Sequence, residues 1–189
     1  MKKNFSILNY FESHTSLFAN LDTADFLKGI QIIKETFESW NKILTCGNGG
    51  SASTASHYIT DWNKMINIHT GKKFRGICLT DNIGLVTAYG NDLSYSEIFA
   101  GQIDALMDEG DLLVAVSGSG NSPNILKAIE SARKARGRVL GVVGYDGGKM
   151  KPLCDCSVWV KSFDMQLCED VHLMFGHMVM KSLCELNIN

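Results

Sequence analysis

Short apolar runs alternate with longer helical stretches through most of this chain, and this alternation constrains its fold more than any other feature of the sequence. The runs are typical of buried strands and lie at 42–46, 74–79, 112–116, 138–143 and 157–160. Strands that alternate with helices form parallel sheets through right-handed crossovers, with helices on both faces. The sequence therefore predicts an α/β fold, a three-layer sandwich around a five-stranded parallel sheet.

Helices are predicted at both ends of the chain as well as between the strands. Two N-terminal helices are separated near 20–23, where Asp22 or Thr23 would cap the second. The other helices are predicted at 51–63, 83–89, 97–107, 123–135 and 165–186. At 189 residues the chain has the length of one domain, in which 1–40 form N-terminal helices and 41–189 an α/β core.

Composition and charge narrow the classes of function. The chain is 45% hydrophobic and 20% charged, with a formal net charge of −2, so it offers no net positive field for nucleic acid or an anionic membrane. No apolar run reaches the roughly 20 residues of a spanning helix, and polar residues interrupt the N-terminus too early for a secretion signal. The six cysteines then indicate reduced thiols. We expect a cytoplasmic protein with no nucleic-acid or membrane partner.

Two glycine- and serine-rich loops follow predicted strands. The first, at 47–51, has three glycines and ends in Ser51, and the second, at 117–122, has three serines and leads into Pro123. Each loop ends where a helix begins, and helix N-termini favour anions. Because the carboxyl ends of parallel strands meet at one edge of a sheet, the two loops together predict a phosphate site.

A dinucleotide site is the alternative interpretation of the first loop. Gly47, Gly49 and Ala52 fit a relaxed dinucleotide fingerprint, and Asp81 ends the second strand as a ribose-binding acid would. However, Asp81 lies later than the usual offset of about 20 residues, and the serine loop has no role in that scheme. The phosphate interpretation is favoured.

Two helices carry ionisable side chains that suit metal binding or proton transfer. His57 and Asp61 are four residues apart and share one helix face. Glu169 and His177 lie two turns apart in the final helix, where Asp170 is an alternative to Glu169. Two histidines and two carboxylates are enough for a zinc-type site or for acid–base chemistry. We interpret the remaining histidines as structural or surface residues: His14, His69 and His172.

The motifs at 46–52, 117–123 and 144–148, together with His57, resemble those of the sugar isomerase (SIS) domain family. The closest resemblance is to the phosphoheptose isomerases, which convert sedoheptulose 7-phosphate to D-glycero-D-manno-heptose 7-phosphate, and it covers essentially the whole chain. It implies a flavodoxin-like sheet (the SIS fold) and a homotetramer in which the N-terminal helices serve oligomerisation. It also implies active sites shared between subunits and a Zn²⁺ or other divalent metal ion.

The resemblance also implies roles for individual residues. Asp61 and His177 would be the catalytic acid–base pair, and the metal ligands would be His57, Asp61, Glu169 and His177. The substrate-binding residues would be Asn48, Gly49, Gly50, Ser51, Asn91, Asp92, Ser117, Gly118, Ser119, Ser122 and Glu169.

Two positions depart from the family pattern. Asp61 stands where the family has a glutamate, and Glu169 stands where it has a glutamine. The shorter Asp61 would move a carboxylate by more than about 1 Å, which can cost ~10²-fold in rate. Two alternative functions are consistent with these departures. The first is a sugar-phosphate isomerase that uses enediol proton transfer. The second is a non-catalytic SIS module that binds a sugar phosphate or a protein, as the replication-initiator-binding paralogues do. Those paralogues lose the catalytic glutamate and histidine, whereas the matching positions here, Asp61 and His177, both remain ionisable, which favours the enzyme.

Overall fold

The structure is a computed structural model that describes residues 6–185. A five-stranded sheet with all neighbouring strands parallel forms its centre, in the order β2-β1-β3-β4-β5. The strands are β1 Ile43–Cys46, β2 Gly76–Cys78, β3 Leu112–Ser117, β4 Arg138–Val143 and β5 Cys156–Trp159. This is the flavodoxin-like order, so the predicted fold class is confirmed.

Helices cover both faces of this sheet. They are α1 Ile7–Ala19, α2 Thr23–Glu38, α3 Gly50–Asp61, α4 Asn67–Thr70, α5 Ile83–Asp92, α6 Ala100–Leu106, α7 Pro123–Lys134 and α8 Met165–Glu185. The break between α1 and α2 lies where it is predicted, and the Asp22 carboxylate caps α2 by accepting the Ala24 N–H at 3.0 Å. The final predicted helix residue, Leu186, lies outside the described residues.

The sheet divides the interior into two apolar cores. Along β3, Leu112, Val114 and Val116 pack with α2, α3 and α8, whereas Leu113 and Ala115 pack with α6 and α7 on the opposite face. This follows from the two-residue period of a strand. Because all these side chains are fully buried, each large one contributes about 1.5–3 kcal/mol to the folded state. The continuous apolar run of β3 is therefore the signature of a central strand covered on both sides.

Two helical segments differ from their predicted extent. The helix predicted at 51–63 continues past Asp61 through a π-turn, Trp62–Ile66, into α4, which ends at Gly71 in the left-handed conformation (φ 67°). The helix predicted at 97–107 is divided into a 3₁₀ turn, Tyr95–Glu97, and α6. Within residues 6–185, none of the helices is long and apolar enough to span a lipid bilayer.

Candidate active site

The loop after β1 turns sharply into α3. Gly49 is the N-cap of α3 and has a φ of 54°, a conformation that favours glycine. A side chain at Gly47 would lie 2.4 Å from the carbonyl oxygen of Ser51, so the close approach of the two backbone segments requires glycine there. The turn directs the first N–H groups of α3 toward the carboxyl edge of the sheet, where they favour an anion.

The loop after β3 leads into α7 at the same edge. Ser122 is the N-cap and Pro123 the first helical residue, as predicted, but the Ser122 side chain makes no capping hydrogen bond. The Ser117 hydroxyl accepts the N–H of Gly120 at 3.1 Å, which holds the loop in a tight turn. Serine hydroxyls and helix N–H groups thus meet at one place, and none of the described residues that line it is a lysine or an arginine.

A pocket of about 270 Å³ lies between the two loops; we call it the loop pocket. Its walls include most of the predicted substrate-binding residues: Asn48, Gly49, Gly50, Ser51, Ser117, Gly118, Ser119, Ser122 and Glu169. The structure thus brings these residues together, while their individual roles stay predictions.

Two residues that the sequence does not single out hold the loop pocket together. The side-chain amides of Asn48 and Asn124 form two reciprocal hydrogen bonds, of 2.9 and 2.8 Å, which join the two loops. The Tyr95 hydroxyl also donates to Asn48 Oδ1 at 3.0 Å. No motif reveals these contacts, since Asn124 and Tyr95 lie far from Asn48 in the chain.

Glu169, rather than Asp170, faces the loop pocket. A side chain at Gly50 would lie 2.6 Å from Glu169 Oε1, so the carboxylate packs against the first turn of α3. Asp170 instead contacts α1, where its Oδ2 lies 2.9 Å from His14 Nε2 and accepts a hydrogen bond from Tyr10. The two neighbouring carboxylates therefore lie on different faces of α8, one against α3 and the other against α1.

A second group of side chains lies at the far end of α3; we call His57, Asp61 and His177 the His–Asp–His cluster. Asp61 Oδ2 lies 3.3 Å from His57 Nε2 and 3.7 Å from His177 Nε2. The two Nε2 atoms are 3.2 Å apart, and the rings meet edge to face. The three residues together offer one ligand atom each within 4.8 Å of one another, which suits a metal ion.

Two of the predicted assignments are not assembled within one chain. Glu169 lies two turns before His177 on α8, an axial separation of about 12 Å, and is not part of the His–Asp–His cluster. Asn91 and Asp92 lie at the end of α5, where both are exposed and hydrogen-bond to each other at 3.0 Å. Neither of them lines the loop pocket.

Burial keeps three ionisable groups outside these two sites in their neutral form: His172, Cys46 and Cys154. His172 is fully buried, neither ring nitrogen has a hydrogen-bond partner within residues 6–185, and burial lowers its pKa to about 4. Burial likewise raises the pKa of the Cys154 thiol to about 12 and that of Cys46 still further. These groups therefore do not supply a nucleophile or a charge at neutral pH.

Known proteins of one family resemble this chain over most of its length. The family model described as SIS domain matches residues 9–144. A phosphoheptose isomerase from Aliarcobacter butzleri is 40% identical over 152 residues, which is 80% of each chain. The chain belongs to the phosphoheptose isomerase family.

Other phosphoheptose isomerases agree with this result in sequence and in fold. The protein of that name from Campylobacter concisus is 37% identical over 175 residues, covering 93% of this chain and 89% of the relative. The structure of a phosphoheptose isomerase from Francisella tularensis superposes with a TM-score of 0.89 at 28% identity, over 95% of this chain and 96% of that one. Membership of the phosphoheptose isomerase family confirms the resemblance drawn from the sequence motifs and the prediction of an isomerase.

Proposed function

We propose that this protein converts sedoheptulose 7-phosphate to D-glycero-D-manno-heptose 7-phosphate, in bacterial heptose biosynthesis for lipopolysaccharide, capsule or another glycan. The observation that carries the proposal is the His–Asp–His cluster, in which the Asp61 carboxylate is within 3.7 Å of both imidazoles. An aldose–ketose isomerase needs such a base and acid to move a proton between C1 and C2.

The loop pocket is suited to the phosphate of the substrate. It lies at the N-termini of α3 and α7, whose unpaired N–H groups attract an anion, and Ser119 and Ser122 add hydroxyl donors. Glu169 gives this pocket one acidic wall, so the phosphate would lie on the serine side and the Glu169 carboxylate would bind sugar hydroxyls or a metal. Anchoring the phosphate fixes the position of C1 and C2.

Asp61 and His177 would perform the proton transfer. Asp61 takes the proton from one carbon to give an enediol and returns it to the neighbouring carbon. His177 donates to, and accepts from, the substrate oxygens on those carbons. Their near contact with each other and with His57 holds both side chains in one orientation.

The His–Asp–His cluster also fits a Zn²⁺ ion. Zinc–ligand bonds of 2.0–2.1 Å in a tetrahedron place neighbouring ligand atoms about 3.3 Å apart. The three distances in the cluster are 3.2, 3.3 and 3.7 Å, so little movement is needed to hold the ion. Within one chain the cluster supplies three protein ligands, which leaves a further coordination position for another ligand. A bound zinc would polarise the substrate carbonyl.

We further propose a homotetramer in the cytoplasm, with each active site shared between subunits. The loop pocket and the cluster occupy opposite ends of α3, since Gly50 and His57 are separated by about 10 Å of helical rise. Glu169 of one subunit would then complete the cluster of another. Residues 1–40 would contribute to the subunit interface, because α1 leaves Ile7, Leu8 and Phe11 more than 60% exposed.

Co-assembly of two inactive variants tests the shared site. Ser119→Trp fills the loop pocket with a bulky side chain and His177→Ala removes part of the cluster, so each variant alone is inactive or nearly so. Mixed oligomers regain activity if the loop pocket of one subunit serves the cluster of its partner. Mixed oligomers that stay as inactive as the two parents would contradict sharing between subunits.

A second candidate function, binding without turnover, is favoured by the departures from the family pattern at Asp61 and Glu169. Asp61 is one methylene shorter than the glutamate that the family resemblance places there.

The direct assay separates the two functions: the protein is incubated with sedoheptulose 7-phosphate, with and without zinc, and the aldose phosphate is followed by NMR. We expect turnover that falls after chelation and is lost in His177→Ala. A thermal shift by the sugar without turnover would favour the binding module, and recovery of activity by Asp61→Glu would then identify the missing methylene as the cause.

A further inference from the structure

Tyr58 of α3 lies directly on the backbone of α8 at Gly176. Tyr58 is fully buried, and a side chain at Gly176 would lie 2.2 Å from its Cδ1 and 2.3 Å from its Cε1. No substituent larger than hydrogen fits at position 176 while the Tyr58 ring stays in place. Glycine is less favourable than alanine inside a long helix. Gly176 therefore lowers the intrinsic stability of α8, and the close approach of Tyr58 is the structural reason for a glycine there.

Two hydrogen bonds reinforce the same contact. The Tyr58 hydroxyl donates to the carbonyl oxygen of His172, and Trp62 Nε1 donates to the carbonyl oxygen of Gly176 at 3.0 Å. The Tyr58 and Trp62 rings are stacked, with centroids 4.9 Å apart, and Trp62 is also fully buried. One turn of α3 and the start of the π-turn are thus attached to successive turns of α8, which limits both rotation and sliding of the two helices.

Each of the three residues in this contact is adjacent in sequence to a member of the His–Asp–His cluster. Tyr58 follows His57, Trp62 follows Asp61, and Gly176 precedes His177. A change in the distance or rotation between α3 and α8 therefore moves His177 relative to the other two members. Tyr58 also packs edge to face on Phe175 of α8, with ring centroids 6.3 Å apart, so the buried contact next to the cluster is where the two helices fix its spacing.

We propose that Tyr58, Trp62 and Gly176 are positioning residues that hold the His–Asp–His cluster at the spacing required for metal binding and proton transfer. The proposal rests on the proposed function of that cluster. The contact acts through the helices, because neither aromatic side chain reaches solvent or the loop pocket.

The substitution Gly176→Ala tests the proposal, and the fold contains a matched control. Gly101 on α6 packs against Tyr89 in the same way: a side chain there would lie 2.3 Å from Tyr89 Cε1, and the Tyr89 hydroxyl donates to the Gly101 carbonyl at 3.1 Å. Gly101→Ala introduces the same clash on the opposite face of the sheet. Both variants are titrated with Co²⁺ as a spectroscopic substitute for zinc, and kcat and KM for sedoheptulose 7-phosphate are measured.

We expect Gly176→Ala to weaken Co²⁺ binding about 10- to 100-fold, the usual effect of disturbing groups that orient metal ligands. It should lower kcat about 10-fold or more and leave KM within about 2-fold, since the loop pocket lies at the other end of α3. Gly101→Ala should leave Co²⁺ affinity unchanged. Equal losses in the two variants would show a general packing defect and overturn the proposal.

A double variant identifies the Tyr58 ring as the group through which Gly176 acts. Tyr58→Ala makes room for the new methyl group, so the combined loss of Co²⁺ affinity in Tyr58→Ala/Gly176→Ala should be smaller than the product of the separate losses. Independent effects would contradict the proposal. If the unmodified protein neither isomerises the sugar nor binds Co²⁺, the proposed function fails. A crystal structure of Gly176→Ala then tests positioning alone, because an unchanged distance between His57 and His177 would overturn it.

Discussion

Nε2 of His177, on α8, lies 3.2 Å from Nε2 of His57, on α3, and the Asp61 carboxylate approaches both rings. Two imidazoles and a carboxylate this close are stabilised by a shared proton or a shared cation. Because the cluster is half-buried rather than enclosed, a substrate or a partner subunit can reach it. The contact combines the two chemical capacities that an isomerase of this family would use, proton transfer and metal binding.

The substitution Asp61→Asn should lower kcat by about 10²-fold or more, because the amide cannot accept the proton that the carboxylate takes. Asn has the same shape as Asp, so the fold and the affinity for the sugar phosphate should change little. Steady-state kinetics with sedoheptulose 7-phosphate measure kcat and KM, and a melting curve measures the stability of the fold. A variant with undiminished kcat would rule out Asp61 as the base.

The substitution Ser122→Ala should raise KM about 10-fold and leave kcat within about 2-fold, since one hydroxyl hydrogen bond to phosphate contributes roughly 1–1.5 kcal/mol. The Ser122 hydroxyl is not used for capping, so α7 should keep its stability. Ser39→Ala, at an exposed serine after α2, is the control. An unchanged KM in the Ser122 variant would place the phosphate elsewhere.

Removal of metal by a chelator should lower both turnover and the melting temperature, and added Zn²⁺ should restore them. Zinc at 100 times its Kd stabilises the folded state by about 2.7 kcal/mol. His57→Ala should abolish the zinc-dependent shift in a thermal melt, whereas His69→Ala, at an exposed histidine outside the cluster, should retain it. A zinc shift that survives in His57→Ala would show that the ion binds at another site.

Acidification should destabilise the protein through His172. Burial lowers its pKa to about 4 from 6.5, so the unfolded state binds the proton more readily between these two values. This contribution to the free energy of unfolding is complete above pH 6.5 and is lost progressively as the pH falls toward 4. Between pH 7 and pH 5 the loss from His172 is about 2 kcal/mol.

Urea unfolding at the two pH values measures this loss. The variant His172→Leu should show a smaller difference between pH 7 and pH 5 than the unmodified protein, whereas His69→Gln should show the same difference. An identical pH dependence in the His172 variant would mean that the ring is protonated, or hydrated, in the folded state.

Much of the fold could be predicted because its signals are local. The run of apolar residues in β3, the Asp22 cap of α2 and the Ser122–Pro123 start of α7 each depend on residues within a few positions of one another. The parallel sheet then follows, since strands that alternate with helices have few other ways to pack. The N-termini of α3 and α7, which form the loop pocket, were predictable because each is marked by a local glycine- or serine-rich sequence.

Two helical segments, the one that follows α3 and the one that precedes β3, were harder to predict. The π-turn after Asp61 and the division between Tyr95–Glu97 and α6 depend on contacts with other parts of the fold rather than on periodicity. Trp62, for example, donates to a carbonyl oxygen of α8, which no pattern near Trp62 indicates.

The sequence by itself determined the sheet, the helices that cover it, and the composition of the two glycine- and serine-rich loops. Only the tertiary structure decided that His177 joins His57 and Asp61 while Glu169 faces Gly50, because the rotation and offset of α8 against α3 fix both contacts. That offset is set by the approach of Tyr58 to Gly176, two residues far apart in the chain. Local patterns specify which residues a helix carries, whereas the packing of side chains from distant segments specifies which of those residues meet.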